Sequence, residues 1–273
     1  MAAEKEISVA GTVTTNEWSD RAVVVTGAAG GIGKGIVAAL LEAGAKLVLS
    51  DAHSDQLEHA LRSFDVPRDR LSSFVANICD EAQVNALAEH ALERFGKLYG
   101  WVNNAGTIEL GPALETTRTA VLTQLDTNVV ALFQCCQAAV RAILGGKSGG
   151  AIVNVASNAG KVGFPHMIGY SASKAAVINL TRNLAEEWAP LDINVNAVCP
   201  GSVRTAMLRR VAEYHAERNG LQTDEVLAGF ISHQLSRAIE PVEVGRVVVF
   251  LLSDSARIIR GQAINVDAGD TPY

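Results

Sequence analysis

A single doubly wound α/β domain, a parallel sheet of about seven strands with helices on both faces, is what this sequence predicts. Three observations predict it. Short apolar runs alternate with longer amphipathic segments through almost the whole chain. The runs are apolar at successive positions, as in Ala22 to Thr26 and Ala151 to Ala156, which marks strands covered on both faces and therefore parallel. The 24 glycines are ordinary in number, but they cluster directly behind the first run.

Each element has its own signal. Ala22 to Thr26 reads as the first strand, and Gly31 to Ala43 as a helix stopped by Gly44. Lys46 to Ser50 is the second strand, followed by a helix from His53 to Ser63 and a strand from Leu71 to Asn77. Asp80-Glu-Ala-Gln83 opens the next helix with a capping-box arrangement, and that helix runs to Phe95. Leu98 to Asn103 is the fourth strand. Helical pattern covers Arg118 to Leu144 with a break near Asp126, and the fifth strand spans Ala151 to Ala156. Tyr170 to Trp188 carries Ala176, Leu180, Leu184 and Trp188 at helical spacing. The sixth strand runs from Ile193 to Val198. Pro241 suits the first position of a helix over Val242 to Leu252, and Ala263 to Val266 closes the sheet.

No linker divides this pattern, so residues 19–273 read as one domain behind a loose tail of residues 1–18. The segment 202–240 is long, charged and helix-rich, and it follows the sixth strand; an insertion there is expected to form a lid over a ligand. Of the 273 residues, 48% are hydrophobic and 19% charged, enough apolar surface for a core and too little charge for disorder. The 23 Lys and Arg against 29 Asp and Glu give a net charge of −6 with no basic block, which argues against nucleic-acid binding. No signal-like start is present, and Val129 to Leu144 is interrupted by Gln134, Gln137 and Arg141, so neither secretion nor a membrane span is expected and the location expected is cytoplasmic. Cys79, Cys135, Cys136 and Cys199 form no C-x-x-C pair and have no His at ligand spacing. They read as small buried thiols, with no metal expected.

The glycine cluster is Thr26-Gly27-Ala28-Ala29-Gly30-Gly31-Ile32-Gly33. Gly27 permits a tight strand-to-helix turn, and Gly31 and Gly33 present backbone without a Cβ to a pyrophosphate and to the sheet. The N–H groups at the helix start would face the phosphates. Asp51 ends the second strand, where a carboxylate accepts hydrogen bonds from an adenosine ribose and repels a 2′-phosphate. Ala29, Gly30, Ala52 and His53 supply no Lys or Arg to neutralise such a phosphate, so the expected cofactor is NAD.

Further residues stand at strand ends: Asn103-Asn104-Ala105-Gly106, Asn128, Ser157, and Tyr170 with Lys174 one helical turn on and on the same face. Taken singly, Tyr170 and Lys174 read as surface residues, Ser157 as a cap and Asn128 as a buried amide. Taken in order with the glycines, with Pro200-Gly201 and Thr205, and with Gly261-Gln262 and Val266-Asp267-Ala268-Gly269, the chain resembles the short-chain dehydrogenase/reductase family, with its Rossmann-type fold, over residues 20–269.

The resemblance implies roles. Tyr170 would exchange a proton with the substrate oxygen, its phenol lowered from about 10 by the Lys174 ammonium and the cationic nicotinamide. Lys174 would also hold the nicotinamide ribose. Ser157 would orient the carbonyl or alkoxide, and Asn128 would anchor a water linking Lys174 to solvent. Ile32 would give a backbone N–H to the pyrophosphate; Asn104 and Gly106 would lie beside the ribose and nicotinamide half; Val203 and Thr205 would meet the carboxamide after the Pro200-Gly201 turn. Where the family commonly has Asp, this chain has Asn77, which would accept from the adenine amino group with the Ile78 backbone beside it.

Substrate identity is expected in residues 158–169, in Ile108 to Leu110 and in the lid. Asn158, Lys161 and His166 mix there with Phe164, Met167 and Ile168. Lid residues Arg204, Arg209, Arg210, Arg218 and Arg237 balance Glu213, Glu217, Asp224, Glu225 and Glu240, which gives no case for an anionic substrate. Ser157, Asn158 and Tyr170 are the expected substrate contacts, and a polyol, sugar or diol fits best, with a less polar alcohol or ketone next. A non-catalytic nucleotide-sensing module is the competing class, though an intact Ser157, Tyr170 and Lys174 set argues against it. Dehalogenation is a third, against which the retained glycines and lysine count. The resemblance further implies a homotetramer through the helices of residues 118–144 and 170–188, with Ala131, Cys135, Ala139 and Trp188 on their outer faces.

Overall fold

Seven parallel strands pair in the order β3-β2-β1-β4-β5-β6-β7 in the computed structural model, which describes residues 17–146 and 149–272. They are β1 (Ala22–Thr26), β2 (Lys46–Asp51), β3 (Leu71–Val75), β4 (Gly100–Asn103), β5 (Gly150–Val155), β6 (Ile193–Pro200) and β7 (Ala263–Val266). The order reverses between β1 and β4, and that crevice at the carboxyl ends of the strands is where a sheet of this kind takes its ligand. The helices are α1 (Gly31–Ala43), α2 (Ser54–Arg62), α3 (Glu81–Phe95), α4 (Arg118–Leu125), α5 (Ala131–Gly145), α6 (Ile168–Glu187), α7 (Ala206–Asn219), α8 (Thr223–Gly229) and α9 (Pro241–Leu252).

Burial on both faces follows from the residue pattern. Ile36, Leu40, Val248 and Leu251 of α1 and α9 cover Val23, Val25 and Val153 on one side. Leu87, Ala139, Val177 and Ile178 of α3, α5 and α6 cover Trp101, Ile152 and Val195 on the other. The α1–α9 contact is close because it is made through glycine: a Cβ on Gly245 would lie 2.4 Å from the Gly35 carbonyl oxygen. Between the sheet and α6 runs a chain of buried polar side chains. Trp101 Nε1 donates to Asn103 Oδ1 at 2.8 Å, Asn103 Nδ2 to Asn154 Oδ1 at 2.9 Å, and Asn154 Nδ2 to Thr181 Oγ1 at 3.0 Å.

Several expectations change. Residues 1–16 of the expected tail lie outside the described residues, but Trp18 is buried and meets Tyr99 edge-on at 6.3 Å, so the domain begins before residue 19. Asp80 caps α3 by accepting from the N–H groups of Ala82 and Gln83, yet the box is not reciprocal: Gln83 Oε1 accepts from the Asn77 N–H at 2.9 Å. An Asx turn, Cys79 N–H to Asn77 Oδ1, presents that N–H first. Cys79 is exposed rather than buried.

The break at Asp126 is a π-helical turn over Asp126–Val130 between α4 and α5. It inserts an extra residue, which rotates the downstream residues by about 100° relative to a continuous helix. Ala131, Cys135 and Ala139, expected on an outer face, are consequently buried in the core. The outward apolar residues of this run are Leu122, Val130, Phe133 and Leu144. Arg118–Gly145 also proves long and apolar enough by composition to cross a membrane, but its inner face is packed against α3 and the sheet.

Candidate active site

Every strand of the sheet points its carboxyl end at one rim, and the sequence-predicted residues gather there. Gly27 has φ of +60°, and a Cβ on it would come within 2.8 Å of Ala105 Cα. Only glycine fits both restrictions. A Cβ on Gly33 would stand 2.1 Å from the Gly27 carbonyl oxygen, so the turn closes directly onto the first coil of α1. Gly31 is bare for another reason: a Cβ there would collide with Thr205 Cγ2 at 2.5 Å. No side chain caps α1, because Gly30 occupies the N-cap. Its first-turn N–H groups, that of Ile32 among them, form a cradle suited to an anionic diphosphate.

Asn104 has a structural task at the glycine turn. Its Nδ2 donates to the carbonyls of Thr26 (3.1 Å) and Gly27 (2.8 Å), so it fastens the end of β4 to the glycine turn. Thr26, read from sequence only as the start of the glycine motif, completes that fastening. Its Oγ1 accepts from the N–H groups of Asn104 and Ala105. Asp51 Oδ2 accepts from the Ala29 N–H at 3.3 Å, and Oδ1 from the His53 N–H at 3.2 Å. Asn77 spends Oδ1 on the Cys79 N–H, and Ile78 beside it is buried.

Ser157 leaves β5 in extended conformation and opens a short turn over Asn158–Gly160. That turn lies directly on α6, since a Cβ on Gly160 would meet Lys174 backbone carbon at 2.6 Å. The Ser157 hydroxyl is thereby brought near the Tyr170 phenol, close enough to act on its proton affinity. Lys174 is buried, its Nζ donates to the Val155 carbonyl at 2.7 Å, and it stands 5.6 Å from the Tyr170 ring centroid. Burial pulls the Lys174 ammonium down to about 8. Burial also raises the Tyr170 phenol above its ordinary value, with the Ser157 hydroxyl acting in the opposite direction and the Cys199 thiol raising it further. The expected lowering by Lys174 is therefore not supplied by the protein alone: desolvation dominates, and the ammonium is committed to a carbonyl.

Asn128 is fully buried in the π-helical turn, and its side chain is occupied throughout. Oδ1 accepts from the Thr107 N–H at 2.8 Å; Nδ2 donates to Thr107 O and to Ser173 Oγ, each at 2.9 Å. It ties the loop after β4 to α6. Gly106 sits against it, where a Cβ would lie 3.0 Å from Asn128 Oδ1 and 3.6 Å from Lys174 Nζ. Ser173, also missed from sequence, passes the contact on by donating to the Tyr170 carbonyl at 2.7 Å. Its position one residue before Lys174, on the inner side of the helix, was the available signal.

Pro200 ends β6, and the Gly201 N–H donates to Val266 O at 3.2 Å. Val203 is buried, and Thr205 caps α7 through the Leu208 N–H at 3.2 Å. The lid of residues 202–240 closes on itself at its base: Ile239 N–H donates to Ser202 O and Arg204 N–H to Ile239 O. Asn158 is buried between Ser157, Gly201 and Asp270, with Nδ2 3.5 Å from the Asp270 carboxylate. Lys161 and His166 point elsewhere. Lys161 Nζ donates to the Ala263 carbonyl at 2.8 Å, and His166 Nδ1 meets the Tyr214 hydroxyl at 3.4 Å.

Residues 27–271 match the family described as enoyl-(acyl carrier protein) reductase. The chain is 34% identical over 262 residues to a granaticin polyketide synthase putative ketoacyl reductase 1 from Streptomyces violaceoruber, covering 94% of this chain and 96% of the relative. Its structure is similar to that of an actinorhodin polyketide ketoreductase with NADPH, with a TM-score of 0.87, 30% identity and coverage of 96% and 100%. It is also similar to an NAD+-bound xylitol dehydrogenase, with a TM-score of 0.85, 30% identity and coverage of 92% and 98%. The fold and the site thus define a nicotinamide-dependent oxidoreductase of alcohols and ketones. The chain belongs to the short-chain dehydrogenase/reductase family.

Proposed function

We propose that the protein is an NAD(H)-dependent dehydrogenase interconverting a secondary alcohol and its ketone, with Tyr170 as acid and base. The observation that carries this reading is the convergence of Ser157, Tyr170 and Lys174 on one rim, with the Ser157 hydroxyl near the Tyr170 phenol and Lys174 buried against Val155 O. When bound, the oxidised nicotinamide supplies the hydride acceptor and a positive charge. Ser157 holds the substrate oxygen and Tyr170 takes its proton. Because burial holds the phenol up, the proton leaves Tyr170 easily only once positive charge is nearby. Lys174, at about 8, is still cationic at neutral pH and is placed to bind ribose hydroxyls and steady the phenolate. Asn128, Thr107 and Ser173 hold this set rigid.

Asp51 supports NAD over NADP. Its carboxylate faces the glycine turn through the Ala29 N–H, and a 2′-phosphate there would meet a negative charge. For substrate, Asn158 with Asp270 favours a hydroxyl beside the reacting carbon, as in a diol, polyol or sugar. That Lys161 and His166 are spent on Ala263 and Tyr214 favours, as a second reading, a less polar ketone. Initial rates with polyols, sugars, diols and simple ketones, each with NAD+ or NADP+ or their reduced forms, separate these. Tyr170→Phe is expected to lower kcat at least about 100-fold with NAD affinity little changed. Retention of more than a hundredth of the rate, or equal kcat/KM with both nucleotides, overturns the corresponding part.

A further inference from the structure

One cluster of titratable side chains lies apart from the Ser157, Tyr170 and Lys174 set. His166 belongs to the segment between Ser157 and α6, has φ of +65°, and its carbonyl accepts from the Gly111 N–H at 2.9 Å. Its ring faces α7. Tyr214 and His215 of that helix lie with their ring centroids each 5.7 Å from that of His166 and 5.4 Å from each other. Phe230, after α8, closes the far side at 6.3 Å from His215, and the Arg218 guanidinium stands 5.6 Å from the Tyr214 ring. A non-glycine residue in left-handed conformation is strained and persists where its surroundings fix it. Here it turns the imidazole from the loop toward the lid.

We propose that His166 is a positioning residue: in its neutral form it fastens α7 to the loop after β5, and so holds the lid in place over the substrate. The inference rests on the reading of the rim as an alcohol or ketone site.

The chemistry of the cluster makes the fastening depend on neutrality. Nδ1 of a neutral His166 can accept the Tyr214 hydroxyl proton; an imidazolium cannot. The titratable side chains whose rings meet His166 are Tyr214 and His215, with Arg218 beside Tyr214 one turn along α7. Protonating both imidazoles would place two cations side by side next to a guanidinium. His215 is already held below its ordinary value by burial, by His166 and by Arg218. A base whose value is lowered in the closed arrangement contributes to that arrangement above its ordinary pKa, and the contribution is lost as pH falls through the lowered value. Arg209 of α7 pairs with Glu213 on its own helix and, at 3.9 Å, with Asp224 of α8.

The test uses the full chain and two variants. Tyr214→Phe removes the hydroxyl and keeps the ring. His215→Phe keeps the aromatic packing and removes the second imidazole. For the wild type, substrate KM is expected to rise about tenfold between pH 7.5 and 5.5 with kcat changed less than twofold beyond the titration of Tyr170. Amides of residues 206–219 should exchange hydrogen faster at the lower pH after correction for intrinsic rate. Tyr214→Phe should raise KM about fivefold and speed exchange at pH 7.5. His215→Phe should match the wild type at pH 7.5 and keep an acid response, because His166 can still be protonated, whereas Tyr214→Phe should lose most of it. The proposal is overturned if Tyr214→Phe leaves both readouts unchanged at pH 7.5, or if Tyr214→Phe keeps the full acid response of the wild type. Should the wild type turn over no alcohol or ketone, the oxidoreductase reading fails, and the exchange measurement alone still decides whether His166 holds the lid.

Discussion

The glycine turn and the lid face each other across the same rim and are built by opposite means. The turn is backbone against backbone: Gly33 on Gly27, Gly27 on Ala105, Asn104 across both. The lid is side chain against side chain and largely exposed, held by the Arg204–Glu240, Arg209–Glu213 and Arg237–Glu243 pairs and by the His166, Tyr214 and His215 rings. Contacts of the first kind allow no substitution. Contacts of the second kind are individually weak, screened by salt and replaceable. A cofactor common to many substrates is thus met by fixed geometry, and a variable substrate by a surface that tolerates change.

Gly33→Ala should erase this contrast most completely. The new methyl would stand 2.1 Å from the Gly27 carbonyl oxygen, so the turn must open. A loss of nucleotide affinity of at least about 100-fold and of roughly 1–3 kcal/mol in stability is expected, read by nucleotide titration and thermal unfolding. If the affinity survived, the turn would be as adaptable as the lid.

Lys174→Met tests the middle of the rim. Turnover should fall by about 100-fold or more. Stability should respond to pH in a way that isolates the buried ammonium. Because burial lowers Lys174 to about 8 from 10.5, the unfolded chain binds that proton more tightly. The wild type should therefore gain stability relative to Lys174→Met as pH rises from 8 to 10.5, and the difference should be flat between pH 6 and 7. A denaturant melt series over that range checks the sign.

The smallest effect belongs to the lid. Glu243 is held at about 2 by the Arg237 guanidinium and by the Glu240 N–H, but it is exposed. Glu243→Gln should shift Tm by only about 1–2 °C at pH 7, and that difference should vanish as pH falls through the range from 4.5 to 2. A larger shift at neutral pH would show that the lid's ion pairs are worth more than surface pairs ordinarily are.

How far the sequence could be read follows the same division. The seven strands, the turn at Gly27 and the joint position of Tyr170 and Lys174 were legible because they depend on local spacing, which a parallel sheet converts directly into place. The inward facing of Ala131, Cys135 and Ala139 was not, because one inserted residue in the π-helical turn shifts the phase of everything after it and leaves no mark in composition. The structural tasks of Asn104 and Asn128 were not legible for a different reason. An amide at a strand end can serve a ligand or the backbone, and only the nearness of Gly27 and Thr107 decides between them. Burial raises the phenol of Tyr170 through its whole surroundings rather than through one neighbour, which no local spacing reveals.

The buried chain from Trp101 through Asn103 and Asn154 to Thr181 bears on how the protein finds its fold. Strands as uniformly apolar as β1, β4 and β5 carry little information about where along their neighbours they should stop, since a shift of two residues exchanges one aliphatic side chain for another. The four polar groups act as a ruler. Any slippage of β5 against β4, or of α6 across the sheet, would strand amide and hydroxyl groups in the interior at about 1–3 kcal/mol each. Ser157 lies three residues beyond Asn154 and Tyr170 eleven before Thr181, so the ruler that aligns the interior also sets the distance between the two groups at the rim.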